Sequence, residues 1–198
     1  PRTYPPPTRL VFSAFRRTDQ GRQPPIVMRP TFAILALTGG SSTGGNGPGP
    51  RVTELTRLNA DLFSRKDMPK VESVRYPGAR GKLIQAWILK PPGHEPGRSY
   101  PFLLFIHGGP QGAWEDSFHY RWNPALYASR GFVAMLPNPH GSTGFGQDLT
   151  EQISGDWGGA PYEDLMKAVD WAVSKGLADP ERLGALGGSY GGYMVNWM

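Results

Sequence analysis

The residues best suited to chemistry lie in a run of glycines around one serine. Gly187-Gly188-Ser189-Tyr190-Gly191 fits the pattern Gly-x-Ser-x-Gly, in which a sharp turn between a strand and a helix presents a nucleophilic serine. Such a turn strains the serine backbone and leaves no room for a Cβ two residues before or after it, so Gly187 and Gly191 are expected as elbow glycines. The pattern predicts that the Ser189 hydroxyl attacks a carbonyl carbon.

The same pattern occurs a second time, at Gly40–Gly44 around Ser42. A Gly/Pro-rich run, residues 45–50, follows that copy and cannot start a helix, so it is interpreted as a linker. Ser189 instead follows a short apolar run typical of a buried strand and precedes residues 193–197, which can form a helix. The context therefore favours Ser189 as the nucleophile.

Two backbone N–H groups are candidate donors to the oxyanion that such an attack creates. One belongs to Tyr190, directly after the nucleophile, and the other to Gly109 in His107-Gly108-Gly109-Pro110, a loop that follows an apolar strand. The alternative for this loop is a tight turn at a strand end with a hydrogen-bonded core histidine. Both interpretations can hold, because the loop would contribute backbone and not imidazole.

A general base for Ser189 is not evident in the sequence. In hydrolases with this elbow the chain order is Ser, then Asp or Glu, then His, whereas His94, His107, His119 and His140 all precede Ser189. His119 and His140 are predicted to be surface or loop residues, and His94 to lie in a Pro/Gly loop. The sequence has no cysteine and no metal-ligand spacing, so we expect no metal site and no cofactor.

Charge and hydropathy limit the classes of partner. The formal net charge of +5 resides in residues 1–50, where six arginines face one acid, Asp19. A basic arm for nucleic acid is conceivable, but these arginines are scattered among prolines and apolar residues without clustering, so no nucleic-acid partner is predicted. No apolar run approaches the roughly 18 residues that span a bilayer, so no membrane partner is predicted either.

The hydrophobic patterns predict a succession of short strands and helices. The predicted strands are residues 10–15, 31–37, 71–76, 83–89, 102–106, 132–136 and 183–187, with a turn at 179–181. The predicted helices are 123–130, with Asn123 as N-cap and Pro124 at its first position, and 161–175. Residues 39–50 are predicted to be a linker, and the first two strands are expected to need neighbours from outside this chain.

From Val71 onward, the alternation of strands and helices predicts an α/β fold: a mostly parallel sheet with an antiparallel hairpin at its edge. Ligands of such sheets bind at the carboxyl ends of the strands. The loop at His107, residues 138–146 and Ser189 all follow strands, so we expect them to meet in one cleft.

Several ordered motifs together resemble the prolyl oligopeptidase family of serine peptidases, in particular its acylaminoacyl peptidase and dipeptidyl peptidase branch. The matching segments are residues 107–110, 136–146, 156–159, 162–164 and 187–194. The resemblance implies an incomplete α/β-hydrolase domain in residues 61–198. It also implies that residues 1–60 form a β-rich segment, the end of a β-propeller plus a Gly/Pro linker.

The resemblance further implies hydrolysis of short peptides near their N-terminus, with Ser189 attacking and Gly109 and Tyr190 stabilising the oxyanion. His140 departs from the family pattern, which usually has arginine at this position. The triad acid and base are expected beyond Met198, so the 198 residues are expected to be an inactive fragment of a longer protein.

Two other functions stay open at this point. A carboxylesterase or lipase shares the serine elbow and would differ in preferring simple esters over aminoacyl substrates. A non-catalytic binding protein that uses the basic N-terminal segment would instead retain nucleic acid in a salt-dependent manner.

Overall fold

The computed structural model describes three short strands within residues 1–54, together with all of residues 56–198. Contacts among these residues divide the chain into two units, with a boundary between Asp67 and Met68. Each unit is described by itself.

The first unit contains a three-stranded antiparallel sheet. Its strands are β1 (Leu10–Val11), β2 (Leu35–Thr38) and β3 (Arg51–Glu54), in that order, and one helical turn, α1 (Ala60–Phe63), follows. The expectation that the first two strands need neighbours from outside the chain is wrong for β2, because β2 pairs with β3 over four residues. The sequence patterns missed β3 because it is short and polar. The predicted linker at residues 39–50 lies outside the described residues.

The second unit is built on a five-stranded mixed sheet with the strand order β4-β5-β7-β6-β8. The predicted hairpin forms the β4 edge, where β4 and β5 are antiparallel, and β6 is parallel to both β7 and β8. The predicted α/β architecture is therefore confirmed. The strands are β4 (Val71–Pro77), β5 (Leu83–Leu89), β6 (Tyr100–Ile106), β7 (Val133–Asn138) and β8 (Ala178–Gly187).

Four helices accompany this sheet: α2 (Pro124–Ala128), α3 (Gln147–Glu151), α4 (Ala160–Ser174) and α5 (Tyr190–Trp197). As predicted, the Asn123 side chain caps α2 by accepting a hydrogen bond from the Ala125 N–H at 3.1 Å. Helix α4 also matches its prediction, because Leu165, Ala168 and Ala172 recur on one face and are fully buried. Helix α3 was not predicted, since five residues are too few to show a period.

The core of this unit lies on both faces of the sheet. One cluster contains Phe102, Leu104 and Ile106 of β6 together with the apolar face of α4, and the other contains Phe105 and the α2 side. Alternate residues of β6 thus point to opposite faces, and both faces are covered. Each large side chain that is removed from water contributes about 1.5–3 kcal/mol, so β6 is firmly held and forms a stable base for the loop that follows it.

Strand β8 differs from the predicted turn followed by a strand. Ala178 of β8 pairs with Tyr100 of β6, and the next pair is Leu183 with Phe102. The four residues of β8 between these pairs therefore bulge out opposite a single residue of β6. Asp179 closes this bulge by accepting hydrogen bonds from the Glu181 N–H at 3.0 Å and from Arg182. The turn chemistry read from the sequence is present, but it lies inside the bounds of the strand.

Candidate active site

Ser189 lies at the sharp junction between β8 and α5. The strand ends at Gly187 and the helix begins at Tyr190, so only two residues make the turn. Ser189 has φ +57° and ψ −122°, a conformation that a residue with a side chain rarely adopts. The residue is exposed, and its hydroxyl has no hydrogen-bond partner among residues 56–198. The strained turn therefore projects a free hydroxyl from the end of the strand.

The glycines around Ser189 are required by the close approach of β6. A Cβ on Gly191 would meet the carbonyl oxygen of Ile106, and a Cβ on Gly187 would lie 2.7 Å from the same oxygen and 2.6 Å from the Gly191 carbonyl carbon. A Cβ on Gly188 would lie 2.9 Å from the Trp122 ring. Any side chain at Gly187 or Gly191 would displace neighbouring backbone atoms, so the turn needs glycine at both positions.

Residues 107–114, which we name loop A, follow β6 and lie against the serine. A Cβ on Gly108 would be 3.4 Å from the Ser189 Cβ, so the backbone of loop A passes directly beside the nucleophile candidate. Gly109 has φ +124°, and a Cβ there would be 2.6 Å from the Gln111 nitrogen. Within residues 56–198, neither the Gly109 N–H nor the Tyr190 N–H donates a backbone hydrogen bond. Both donors predicted for the oxyanion are thus unpaired.

His107 is buried, and both of its ring nitrogens are engaged. Its Nδ1 lies 2.8 Å from the Gly108 carbonyl oxygen and its Nε2 lies 2.9 Å from Ser142 Oγ. A carbonyl can only accept, so Nδ1 carries the proton and Nε2 accepts from the Ser142 hydroxyl. Burial lowers the pKa of His107 below its ordinary value, which keeps the ring neutral. His107 is therefore a hydrogen-bonded core residue and not a base for Ser189.

Residues 138–146 form a second loop, which we name loop B, and this loop is hydrogen-bonded to loop A. Asn138 Oδ1 accepts from the Trp114 N–H at 2.7 Å, and the Thr143 N–H donates to the Gly112 carbonyl oxygen at 2.9 Å. The Ser142 hydroxyl adds the contact to His107. The sequence placed this loop at the cleft but gave no sign of these three contacts, because they join residues 24 to 35 positions apart.

The cleft beside Ser189 has a volume of about 480 Å³ and mostly apolar walls. Trp114 and Trp122 provide two indole walls, and Arg121 is its cationic residue. The Arg121 guanidinium carbon lies 5.9 Å from the Trp122 ring centre. Sequence reasoning missed these three residues, because isolated aromatic and basic residues in a loop carry no periodic signal.

Within residues 56–198, the remaining histidines and acids do not form a metal site. No group of three potential metal ligands occurs among the described residues. His119 is exposed and accepts from the Arg121 N–H at 3.0 Å, while the His94 ring stacks on Tyr100 with 4.9 Å between centres. In the described part of the chain, no helix is long and apolar enough to cross a membrane.

Comparison with known proteins shows which families and folds this chain is similar to. Residues 118–198 match the prolyl oligopeptidase family. Dipeptidyl-peptidase 5 of Schizosaccharomyces pombe is 48% identical over 128 residues, which are 64% of this chain and 19% of that protein. A probable dipeptidyl-peptidase 5 of Aspergillus clavatus is 51% identical over 117 residues, 58% of this chain and 16% of that protein. The resemblance to the prolyl oligopeptidase family is confirmed.

Solved structures of peptidases share the fold of this chain. An acylaminoacyl peptidase in complex with Z-Gly-Gly-Phe-chloromethyl ketone has a TM-score of 0.67 at 25% identity, covering 86% of this chain and 28% of its own. A puromycin-hydrolyzing peptidase from Mycobacterium tuberculosis has a TM-score of 0.65 at 29% identity, covering 85% of this chain and 25% of its own. This chain spans under a fifth of the length of the curated relatives it matches.

His140, where the prolyl oligopeptidase family usually has arginine, lies in a loop as predicted, but it is buried there and not at the surface. Its side chain is inaccessible to solvent, and its Nδ1 lies 2.6 Å from Asp164 Oδ2. The same oxygen accepts from the His140 N–H at 2.7 Å, and Asp164 Oδ1 accepts from the Ala79 N–H at 2.7 Å. The ring can be buried because Asp164, 24 residues later, supplies a hydrogen-bond partner, and no local sequence pattern indicates this pairing.

Residues 156–159, one of the segments that resemble the family, hold both ends of α5. The Tyr190 hydroxyl donates to the Trp157 carbonyl oxygen at 2.8 Å, and Trp197 Nε1 donates to the Gly158 carbonyl oxygen at 3.1 Å. Burial raises the pKa of Tyr190 above its ordinary value, so the phenol stays a donor. The residue after Ser189 is therefore anchored by its side chain.

Proposed function

We propose that this chain carries the nucleophile half of a serine peptidase site that hydrolyses short peptides near their N-terminus through an acyl-enzyme. The observation that carries the proposal is the position of Ser189: a free, exposed hydroxyl on a strained turn, beside loop A and at the wall of a cleft. Structural turns rarely hold a serine in this conformation, and a site that must present an attacking oxygen requires it.

The proposed reaction uses Ser189, Gly109 and Tyr190 in separate roles. Ser189 Oγ bonds to the substrate carbonyl carbon while its proton passes to a base, and the carbonyl oxygen becomes an oxyanion. The N–H groups of Gly109 and Tyr190 donate to that oxygen. The C–N bond then breaks, the amine leaves with the proton, and an ester to Ser189 forms. Water repeats the attack and releases the acid and the free serine.

The cleft supports an aminoacyl substrate. Trp114 and Trp122 offer flat apolar walls for a side chain, and Arg121 offers N–H donors for a carbonyl or carboxylate oxygen of the substrate. The names of these similar proteins, dipeptidyl-peptidase 5, acylaminoacyl peptidase and puromycin-hydrolyzing peptidase, all describe peptidases. Peptides are therefore preferred here to simple esters as the substrate class.

We further propose that residues 1–198 alone do not reach the rate of a complete triad. His107 is the imidazole that lines the cleft, and both its nitrogens are committed to Gly108 and Ser142. Its pKa is also lowered by burial, which makes it a poor proton acceptor. A base from elsewhere in the complete gene product has to act on Ser189.

The test compares Ser189→Ala with Ser42→Ala in the complete gene product, because Ser42 lies in the other copy of the pattern. Ser189→Ala should lower kcat by about 10⁵-fold or more and abolish covalent labelling by a fluorophosphonate, while Ser42→Ala keeps both. Wild-type turnover by Ser189→Ala would overturn the proposal. Amino-acid anilides and p-nitrophenyl acetate serve as the substrate pair. A higher kcat/KM for the acetate would make the protein an esterase instead.

The isolated chain of 198 residues is assayed in the same way. We expect no Ser189-dependent turnover above that of its Ser189→Ala variant. Turnover that rises with pH through a histidine-like pKa would contradict the proposed external base.

A further inference from the structure

The peptide group between Gly108 and Gly109 connects His107 to the proposed oxyanion site. The Gly108 carbonyl oxygen and the Gly109 N–H belong to the same planar unit, so fixing the direction of one fixes the other. His107 Nδ1–H holds that carbonyl oxygen at 2.8 Å. The imidazole therefore determines where the Gly109 N–H points.

His107 is in turn held by Ser142. The Ser142 side chain is fully buried, and its hydroxyl donates to His107 Nε2 at 2.9 Å. With Nδ1 protonated, Nε2 is an acceptor that needs a donor in a buried place, and the Ser142 hydroxyl is that donor. Without it, the ring would lose one of its two restraints and could rotate away from the Gly108 carbonyl.

Ser142 itself has little freedom. Its N–H donates to the Pro139 carbonyl oxygen at 2.9 Å, and its own carbonyl oxygen accepts from Thr150 Oγ1 at 2.9 Å. The neighbouring Gly141 has φ +99° and is packed so closely that a Cβ would lie 2.9 Å from the Ile153 Cβ. One residue earlier, His140 is bound to Asp164 through both its backbone and its ring.

We propose that Ser142 and His107 are positioning residues for the oxyanion site, with Ser142 orienting the His107 ring and the ring orienting the Gly108–Gly109 peptide. This inference rests on the proposed function of Ser189. The buried pair of Ser142 and His107 ends on the solvent-exposed Gly108–Gly109 peptide beside the nucleophile. The pair therefore fixes the direction in which that peptide points. A pair that only stabilised the fold would not need to contact this peptide.

The test measures kcat, KM and the inhibition constant of a peptide aldehyde on the complete gene product. An aldehyde forms a hemiacetal with the serine, and its oxyanion requires the same donors as the transition state. Removing one oxyanion donor costs about 10²–10³ in kcat, and a misdirected donor should cost about 10-fold. Ser142→Ala should therefore lower kcat about 10-fold, weaken aldehyde binding by the same factor and leave KM unchanged.

Two further variants separate positioning from stability. Ser142→Cys keeps a weak donor of similar size and should lie between serine and alanine in kcat. Tyr100→Phe removes a hydroxyl outside loops A and B, one that accepts a hydrogen bond from the Glu95 N–H at 2.9 Å, so it should lower the melting temperature but keep kcat within about twofold.

The possible failures are distinguishable. If Ser189→Ala turns over like wild type, the proposed function fails whatever Ser142 does. If Ser189→Ala is inactive while Ser142→Ala keeps kcat and aldehyde affinity, or changes only KM, the positioning role alone is overturned. Equal losses of kcat in Ser142→Ala and Tyr100→Phe would also overturn it. If Ser142→Ala does not fold, Ser142→Cys decides by the same two readouts.

Discussion

The turn at Ser189 and the buried carboxylate of Asp164 are both rigid, but for different reasons. The turn is fixed by steric crowding, since Gly187 and Gly191 approach the Ile106 carbonyl too closely for any side chain. Asp164 is fixed by polar contacts, since its fully buried carboxylate accepts hydrogen bonds from the hairpin turn at Ala79 and from His140 in loop B.

The steric restraint at the turn and the polar restraint at Asp164 are disrupted by opposite kinds of substitution. At the turn an added atom does the damage, because close-packed backbone cannot move aside. At Asp164 a removed charge does the damage, because three buried donors would lose their acceptor. The turn presents the reacting atom, while Asp164 holds together the segments behind it, and each region can be broken without changing the other.

Gly191→Val should have the largest effect. Its Cβ would overlap the Ile106 carbonyl, so we expect the free energy of unfolding to fall by about 4 kcal/mol or more, with loss of activity. Urea unfolding of the complete gene product measures this. Gly192→Ala is the matched control, because its Cβ would meet only the Gly187 carbonyl oxygen at 3.5 Å, and it should stay within about 1 kcal/mol. A Gly191→Val protein as stable and active as wild type would disprove the crowding.

Asp164→Asn should have the next largest effect. The amide has one acceptor oxygen and adds a donor where three donors already converge, so we expect a loss of about 3 kcal/mol in the free energy of unfolding. Asp170→Asn, an exposed position on the same helix, should change it by less than about 0.5 kcal/mol. Similar losses for the two variants would show that the buried contacts do not stabilise this junction.

Asp116→Asn should have a smaller effect, of opposite sign to Asp164→Asn. Both carboxylate oxygens of Asp116 are buried without a hydrogen-bond partner, and burial raises its pKa to about 6. The unfolded carboxyl ionises from its ordinary pKa of 3.8, so wild type loses stability as pH rises from 3.8 to about 6, and the loss is complete above that. Because the residue is partly exposed, we expect the variant to gain about 1 kcal/mol at pH 7.

The gain of Asp116→Asn should shrink as the pH falls and become small below the unfolded pKa of 3.8, where the carboxyl is mostly protonated in both the folded and the unfolded state. Thermal unfolding across this range measures it, with Glu115→Gln, its exposed neighbour, as the control. A gain that persists unchanged at pH 3.5 would mean that the charge of Asp116 is not its cause.

Predictions from sequence were most accurate where a local pattern is strong. The hairpin formed by β4 and β5, the capped helix α2 and the amphipathic helix α4 all follow from turn residues, an N-cap and a 3.6-residue period. Strand β3 and helix α3 were missed because four or five residues are too few for a period. The roles proposed for Ser189, Gly109 and Tyr190 remain predictions until the variants are assayed.

The sequence by itself determined the strand–turn–helix context of Ser189 and the need for glycine around it. Those features depend on residues within a few positions of one another, where backbone sterics decide the outcome. Only the tertiary structure decided that His107 binds Ser142, that Asp164 buries His140, and that Trp122 lies against Gly188. These contacts join residues 24 to 66 positions apart, and a hydrogen bond or a packed ring leaves no periodic trace at such a distance.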